Sequence, residues 1–176
     1  MSVKAGPRPF FLSPLSKSFV MRRKDREISD FSEIIRIIES CSVCRLGLMD
    51  ENEAYIVPMN FGYIVENKEL TLYFHSAKEG RKIDLMKNGK RVSFEMDTSH
   101  SLVKGKEACS FTFLYECVMG TGTIEILQGA KEKSLGLGVI MEHYEKGKTW
   151  DYDPKLLESV SVLKLKVEKL SAKAHL

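Results

Sequence analysis

Apolar and polar residues alternate with a period of two over residues 43–49, 55–65, 69–74, 91–96, 110–127 and 159–167, and this predicts six strands. Turn-forming residues at 50–53 and 66–68 separate the early strands by short links, so the first half reads as an antiparallel meander. Helical periods interrupt the pattern three times. Asp30 and Glu33 are spaced as a capping box, and Phe31, Ile34, Ile35 and Ile38 recur at helical spacing, which predicts an amphipathic helix over 30–40. Ile83, Leu85 and Met86 give a buried side to a helix over 77–88, and residues 130–144 form a third, in which Gly136 and Gly138 are read as packing positions. Residues 99–107 are polar and glycine-containing and read as a loop, whereas Gly120 and Gly122 mark a bulge or close backbone crossing inside a long strand. The fold class that follows is mainly β with flanking helices.

The candidate chemistry lies where one strand meets a helix. Leu70, Leu72 and Phe74 alternate with Thr71 and Tyr73, and Ser76 and Glu79 then match the S-x-x-E capping signature, so a helix is expected from Ala77. Free N–H groups at such a start, with Lys78, Arg81 and Lys82 in its first turns and His75 at the strand end, form a corner suited to a phosphate monoester or diphosphate. The bland alternative is an ordinary cap followed by a solvated basic face. In the preceding strand Pro58 removes a ladder N–H, which leaves neighbouring backbone groups for a ligand or simply marks a sheet edge. Met59, Asn60 and Gly62 beside it offer a soft surface, a two-way amide and close backbone approach, all suited to a flat heteroaromatic.

Together, Met21 to Ile28, Val43-Cys44-Arg45-Leu46, Val57-Pro58-Met59-Asn60-Phe61-Gly62, the run from Leu72 to Lys82 and Arg91-Val92-Ser93-Phe94-Glu95 resemble the flavin-binding split β-barrels of the pyridoxamine 5'-phosphate oxidase type. Within that group the chain is similar to the 5-nitroimidazole resistance proteins, over residues 21–169. The resemblance implies a six-stranded antiparallel split β-barrel, a homodimer with flavin at the subunit interface, and FMN as cofactor, with FAD possible. It puts Val57, Pro58, Met59 and Asn60 at the flavin ring, His75 and Ser76 at the ribityl chain and phosphate, and Arg81 and Lys82 at the phosphate, with Lys78 nearby. It also makes His75 the candidate catalytic residue. The implied activity is flavin-dependent reduction of a nitroaromatic or other electron-poor small molecule, with NAD(P)H as a transient electron donor. Two features depart from the oxidase that names the superfamily. The tail from Val160 lacks the tryptophan and arginine–histidine pattern that grips the vitamin substrate, so authentic pyridoxamine phosphate oxidation is not expected, and Phe111 stands near a position where relatives carry tryptophan. The rival readings are a haem-binding or haem-degrading split barrel, marked by a Soret band, and a flavin-binding protein without turnover.

Composition narrows the remainder. With 176 residues and 43% apolar content the chain supports one core, so residues 21–176 are expected to form a single domain behind a flexible arm over 1–20, where Pro7, Pro9 and Pro14 fall. A net charge of only +3, with basic and acidic residues interspersed, gives no reason to expect a nucleic-acid or membrane-surface partner. No apolar run approaches the roughly 20 residues a bilayer requires, and the start lacks a secretory apolar core, so a cytoplasmic location is expected. Four cysteines fit a reducing compartment. Cys41 and Cys44 match C-x-x-C but follow a helix rather than open one, and no second pair completes a zinc set, so they read as buried apolar residues and no metal site is expected.

Overall fold

A computed structural model of the chain describes residues 21–87 and 89–176. The arm expected over 1–20 lies outside the described residues. After a two-residue strand β1 (Glu27–Ile28), Asp30 caps helix α1 (Phe31–Ser40) by accepting from the Ser32 amide at 3.1 Å, while Glu33 turns to Arg36 instead of closing a box. Ile34, Ile37 and Ile38 recur on one side of α1 and are buried.

Strands β2 (Cys44–Asp50), β3 (Glu53–Met59), β4 (Phe61–Glu66), β5 (Glu69–Ala77), β6 (Arg91–Val103), β7 (Thr112–Leu127) and β8 (Val160–His175) pair in the order β3-β2-β6-β7-β8-β5-β4, all antiparallel, with β1 on β8. β3 and β4 stand at opposite ends of that order although Asn60 alone separates them in sequence. The sheet must therefore curl until its two edges nearly meet, without closing. Counting β3 and β4 as one bent strand and setting β1 aside leaves the six expected strands of an antiparallel split barrel. The expected single strand over 55–65 is broken at Asn60, where β3 leaves to pair with β2 and β4 pairs with β5.

Inside the curl, Leu46, Leu48, Phe61, Leu72, Phe74, Phe94, Met96, Val118, Ile124, Leu163 and Leu165 form the main core, joined by Ile37 and Ile38 from α1 and by Ile83 and Met86 from α2 (Arg81–Met86). A second, smaller core lies on the opposite face of β5 and β8. There α3 (Ala130–Tyr144) packs Ile140 against Tyr73, Leu127 and Val162. α3 occupies the span its pattern indicates, and Gly136 is a packing position as expected, because a Cβ there would meet the Val162 and Tyr73 side chains at 2.7 and 3.0 Å.

Two strands and one helix depart from the alternation. β6 continues through the expected loop to Val103 past a bulge between Thr98 and Ser101, in which Ser99 takes φ 59°. β8 reaches His175 rather than Val167, and the register shift opposite Thr121 and Gly122 supplies the bulge that the glycines there suggest. α4 (Pro154–Ser159), capped by the Asp153 carboxylate on the Lys155 amide at 2.8 Å, forms where no helix was expected.

Candidate functional site

The site follows from the broken strand. The β4–β5 ladder ends at the pair Phe61↔Phe74, so Asn60 and His75 come next on either side of the gap. Beyond it β3 turns away to β2 through Cys44↔Met59, while β5 stays with β8 through Ser76↔Ser161 and Ala77↔Val160. Where the two strands part, Asn60 is exposed at the gap beside the end of β5, while Met59 is buried in the main core and Val57 packs against it. Tyr55, Val57 and Met59 share the inner face of β3, paired with Leu48, Leu46 and Cys44, whereas Pro58 lies on the outer, exposed face. β3 is an edge strand, which is where a residue without an N–H is tolerated.

The helix start differs from the capping-box expectation. Ser76 remains within β5, paired to β8, and cannot cap; Gly80 stands at the N-cap of α2 with φ 120° and no side-chain bond. Pairing with β8 extends β5 through Ala77, and a glycine is needed where the chain then leaves the strand and enters a helix at Arg81. His75 and Ser76 consequently lie on opposite sides of the strand. His75 is exposed on the face that carries Tyr73, and Ser76 is buried on the face that carries Phe74.

Among the expected anion ligands, Arg81 is already engaged. Its Nε and Nη2 donate to Asp50 at 2.6 and 2.5 Å, and its guanidinium carbon sits 4.7 Å from the centre of the Tyr55 ring. Arg81 therefore ties α2 to the hairpin end of β2 and β3. Lys82 is half-buried and Lys78 is exposed in the connector; among the described residues neither has an ion pair. Ser76 carries the clearest mark of an incomplete site, because its buried Oγ has no hydrogen-bond partner. An unsatisfied buried hydroxyl costs about 1–3 kcal/mol, which a ligand oxygen would recover. A buried orphan hydroxyl at the end of β5, followed in the chain by one arginine and two lysines, is a donor set that fits the ribityl phosphate of a flavin.

Two expectations about the Pro58 segment are corrected. Gly62 does not open toward a ligand: a Cβ at that position would lie 2.5 Å from the Val139 carbonyl carbon, so the close approach is to α3. The backbone group freed by the strand break is not left for a ligand either. Tyr144, in the last turn of α3, accepts from the Phe61 amide at 3.1 Å and from Asn60 Nδ2 at 3.3 Å, and donates to the Ser42 carbonyl at 2.8 Å. His143 beside it bonds the Cys41 carbonyl at 2.8 Å and packs 4.4 Å from the Phe61 ring. Sequence pattern had marked neither Tyr144 nor Asp50. The only available signal was a polar aromatic at the end of the expected helix.

Cys41 and Cys44 are buried, as expected, and free. Burial pushes the Cys41 thiol up to about 12 and Cys44 higher still, which removes thiolate chemistry from the C-x-x-C pair. Among the described residues no cluster of three or more His, Cys, Asp or Glu could hold a metal ion, and no helix is long and apolar enough to cross a membrane.

An open antiparallel barrel whose split is flanked by a strand end and a basic helix start defines the split-barrel class. Residues 30–174 match the family model described as pyridoxamine 5'-phosphate oxidase, and the chain belongs to that family. It is similar to a protein of Bacteroides thetaiotaomicron assigned to 5-nitroimidazole antibiotic resistance, with 34% identity over 84% of this chain and 86% of that one, and a TM-score of 0.73. The flavocytochrome Anf3 of Azotobacter vinelandii shares the fold at 19% identity, covering 89% of this chain and 72% of its own, with a TM-score of 0.75. A Mycobacterium smegmatis protein that binds FAD and haem does so at 14% identity, covering 85% and 73%, also with a TM-score of 0.75. No curated protein matches the chain.

Proposed function

We propose that this protein binds FMN in the cleft between β3 and the β5–α2 segment and reduces electron-poor small molecules, nitroaromatics among them. The observation that carries the reading is the orphaned Ser76 hydroxyl, buried at the end of β5 immediately before the basic run Lys78, Arg81 and Lys82. Support for the flavin comes from the family match and from the FAD-and-haem-binding and flavocytochrome relatives of the fold. Support for nitroaromatic substrates comes from the resistance protein at 34% identity. FAD carries the same inner phosphate and would use the same residues.

Bound there, a flavin supplies reversible uptake of reducing equivalents. The chain's own part is placement and charge. Ser76, Arg81 and Lys82 hold the phosphate, the segment from Val57 to Asn60 lies along the ring, and the Asn60 amide meets a polar ring edge. His75 and Lys78, both exposed, bring a proton donor and a fixed positive charge to the mouth of the cleft, where an acceptor gaining electrons needs them. A homodimer belongs to this reading: Met49 and Ile56 are 65% and 64% exposed on the outer face of β2 and β3, an apolar strip that a second copy would cover.

Absorption spectra of the purified protein titrated with FMN test the proposal, with mass spectrometry of the released ligand. A flavin spectrum that saturates at one FMN per chain is expected; correctly folded protein that takes up neither FMN nor FAD, or that shows a Soret band instead, refutes it. With NADPH and a 5-nitroimidazole as donor and acceptor, His75→Ala is expected to bind FMN normally while losing turnover, and unchanged turnover would remove His75 from the chemistry.

A further inference from the structure

Resting on the reading that Asn60 meets the flavin ring, we infer that Tyr144 is a positioning residue for the site, acting through Asn60 to fix which end of its amide faces the ligand. A phenolic hydroxyl has one proton to give and two lone pairs to receive. At Tyr144 all three are used: the proton goes to the Ser42 carbonyl, and the lone pairs accept from the Phe61 amide and from the Asn60 side chain. Because the hydroxyl proton is committed to a carbonyl that cannot donate in return, the Asn60 group turned toward Tyr144 has to be the NH2. The amide orientation is thus set by the network. Among the described residues Asn60 Oδ1 accepts no hydrogen bond, so the cleft is offered an acceptor of fixed direction, suited to an N–H on the edge of a flat heterocycle. Without the hydroxyl the amide is free to turn over, and its selectivity for a donor edge is lost.

The placement favours function over simple bracing. Tyr144 lies at the end of the helix that packs against β4 and β5, and two of its three bonds go to Asn60 and Phe61, where β3 becomes β4, the third reaching Ser42 just before β2. α3 therefore holds the cleft at its hinge, while Asn60 itself stays exposed to a ligand.

A double-mutant cycle on the full chain, read as FMN affinity by fluorescence quenching, separates the two roles. Tyr144→Phe is expected to weaken FMN binding by about 3–10-fold, the factor carried by one ordinary hydrogen bond. Asn60→Ala is expected to do the same, and in the Asn60→Ala background Tyr144→Phe should change the affinity by less than about twofold. An equal loss from Tyr144→Phe in both backgrounds would make the hydroxyl a backbone brace and overturn the inference, as would no loss at all. Asn60→Asp keeps an acceptor but has no proton for Tyr144, and gives a second arm if Tyr144→Phe fails to fold: weakened binding supports the inference and wild-type binding refutes it. Wild-type protein that takes up no FMN would instead bring down the functional reading beneath it.

Discussion

Replacing Gly62 by alanine tests whether α3 really locks the hinge of the cleft. In ideal geometry the added methyl lies 2.5 Å from the Val139 carbonyl carbon and 2.6 Å from Ile140 Cα, about 1 Å inside ordinary contact. Both obstacles are backbone, so neither can be relieved by a rotamer change; β4 or the whole of α3 has to move. Overpacking of this kind costs about 1–3 kcal/mol, set against a gain of about 0.4–1 kcal/mol from the stiffer unfolded chain. At this chain length each kcal/mol shifts the melting temperature by about 2–4 °C, so a net loss of about 1–2 kcal/mol is expected to make Gly62→Ala melt roughly 2–8 °C lower by circular dichroism. A displacement of about 1 Å also exceeds what hydrogen bonds of 2.8–3.3 Å at Tyr144 can absorb, so exchange of the Phe61 amide should accelerate. Gly138→Ala is the control. It lies in the same helix with nothing within 4 Å of its Cβ, and should raise the melting temperature by about 2–4 °C through helix propensity alone. A Gly62→Ala protein that melts with the wild type, or a Gly138→Ala protein that melts below it, would refute the packing of α3 on β4.

Arg81→Ala is expected to weaken FMN binding by about tenfold or more while riboflavin, which lacks the phosphate, binds within about twofold of wild type; equal losses for both ligands would exclude a phosphate contact. The fold should tolerate that change, since the Asp50 ion pair is partly exposed and such pairs add about 0–1 kcal/mol. Glu116 is buried between Arg36 and Ser99, and the Arg36 hydrogen bond, aided by the Ser99 hydroxyl, holds its carboxyl below the ordinary 4.5. Because the folded value is the lower one, the stability it adds is fully present above about pH 4.5 and drains away as the pH falls through the folded value. Glu116→Gln should therefore cost about 1–3 kcal/mol at pH 7 and flatten the acid limb of a stability profile, and an acid limb parallel to the wild type would contradict the assignment. Cys41, Cys44 and Cys117 are buried, with the Cys41 and Cys117 thiols pushed up to about 12, whereas Cys109 is exposed. Ellman's reagent should titrate a single thiol in the native protein, Cys109, and the remaining ones only after denaturation; fast reaction of a second native thiol would refute the burial.

The parts of the molecule legible in its pattern are those where one local signal faces no competitor. α1 follows from the isoleucines behind Asp30, and α3 occupies its expected span, because nothing else claims those residues. Legibility failed where a local signal met a pairing partner distant in sequence. Ser76 and Glu79 spell a cap, but β8 offers Ser76 a ladder, and backbone pairing along β8 prevails over one side-chain bond. The end of β8 was lost for a related reason. Its inward positions run Leu163 and Leu165, then Ala172 and Ala174, changing parity because Gly122 pairs with Val167 and Thr121 with Lys169, which leaves Glu168 over. A strict period of two must stop at such a bulge even though the strand does not. Ser99 does the same to β6. In the site, segment-level features were readable, since proline at a sheet edge and basic residues after a strand are local facts. Atom-level features were not: the groups that satisfy Asn60, Phe61 and Arg81 come from Tyr144 and Asp50, 84, 83 and 31 positions away. Sequence thus located the cleft through what it lacks, a ladder N–H at Pro58, while the compensation for the break just beyond it is supplied by a helix on the far side of the fold. Any change that moves α3 is consequently a change to the cleft, even when it touches no residue that a ligand would meet.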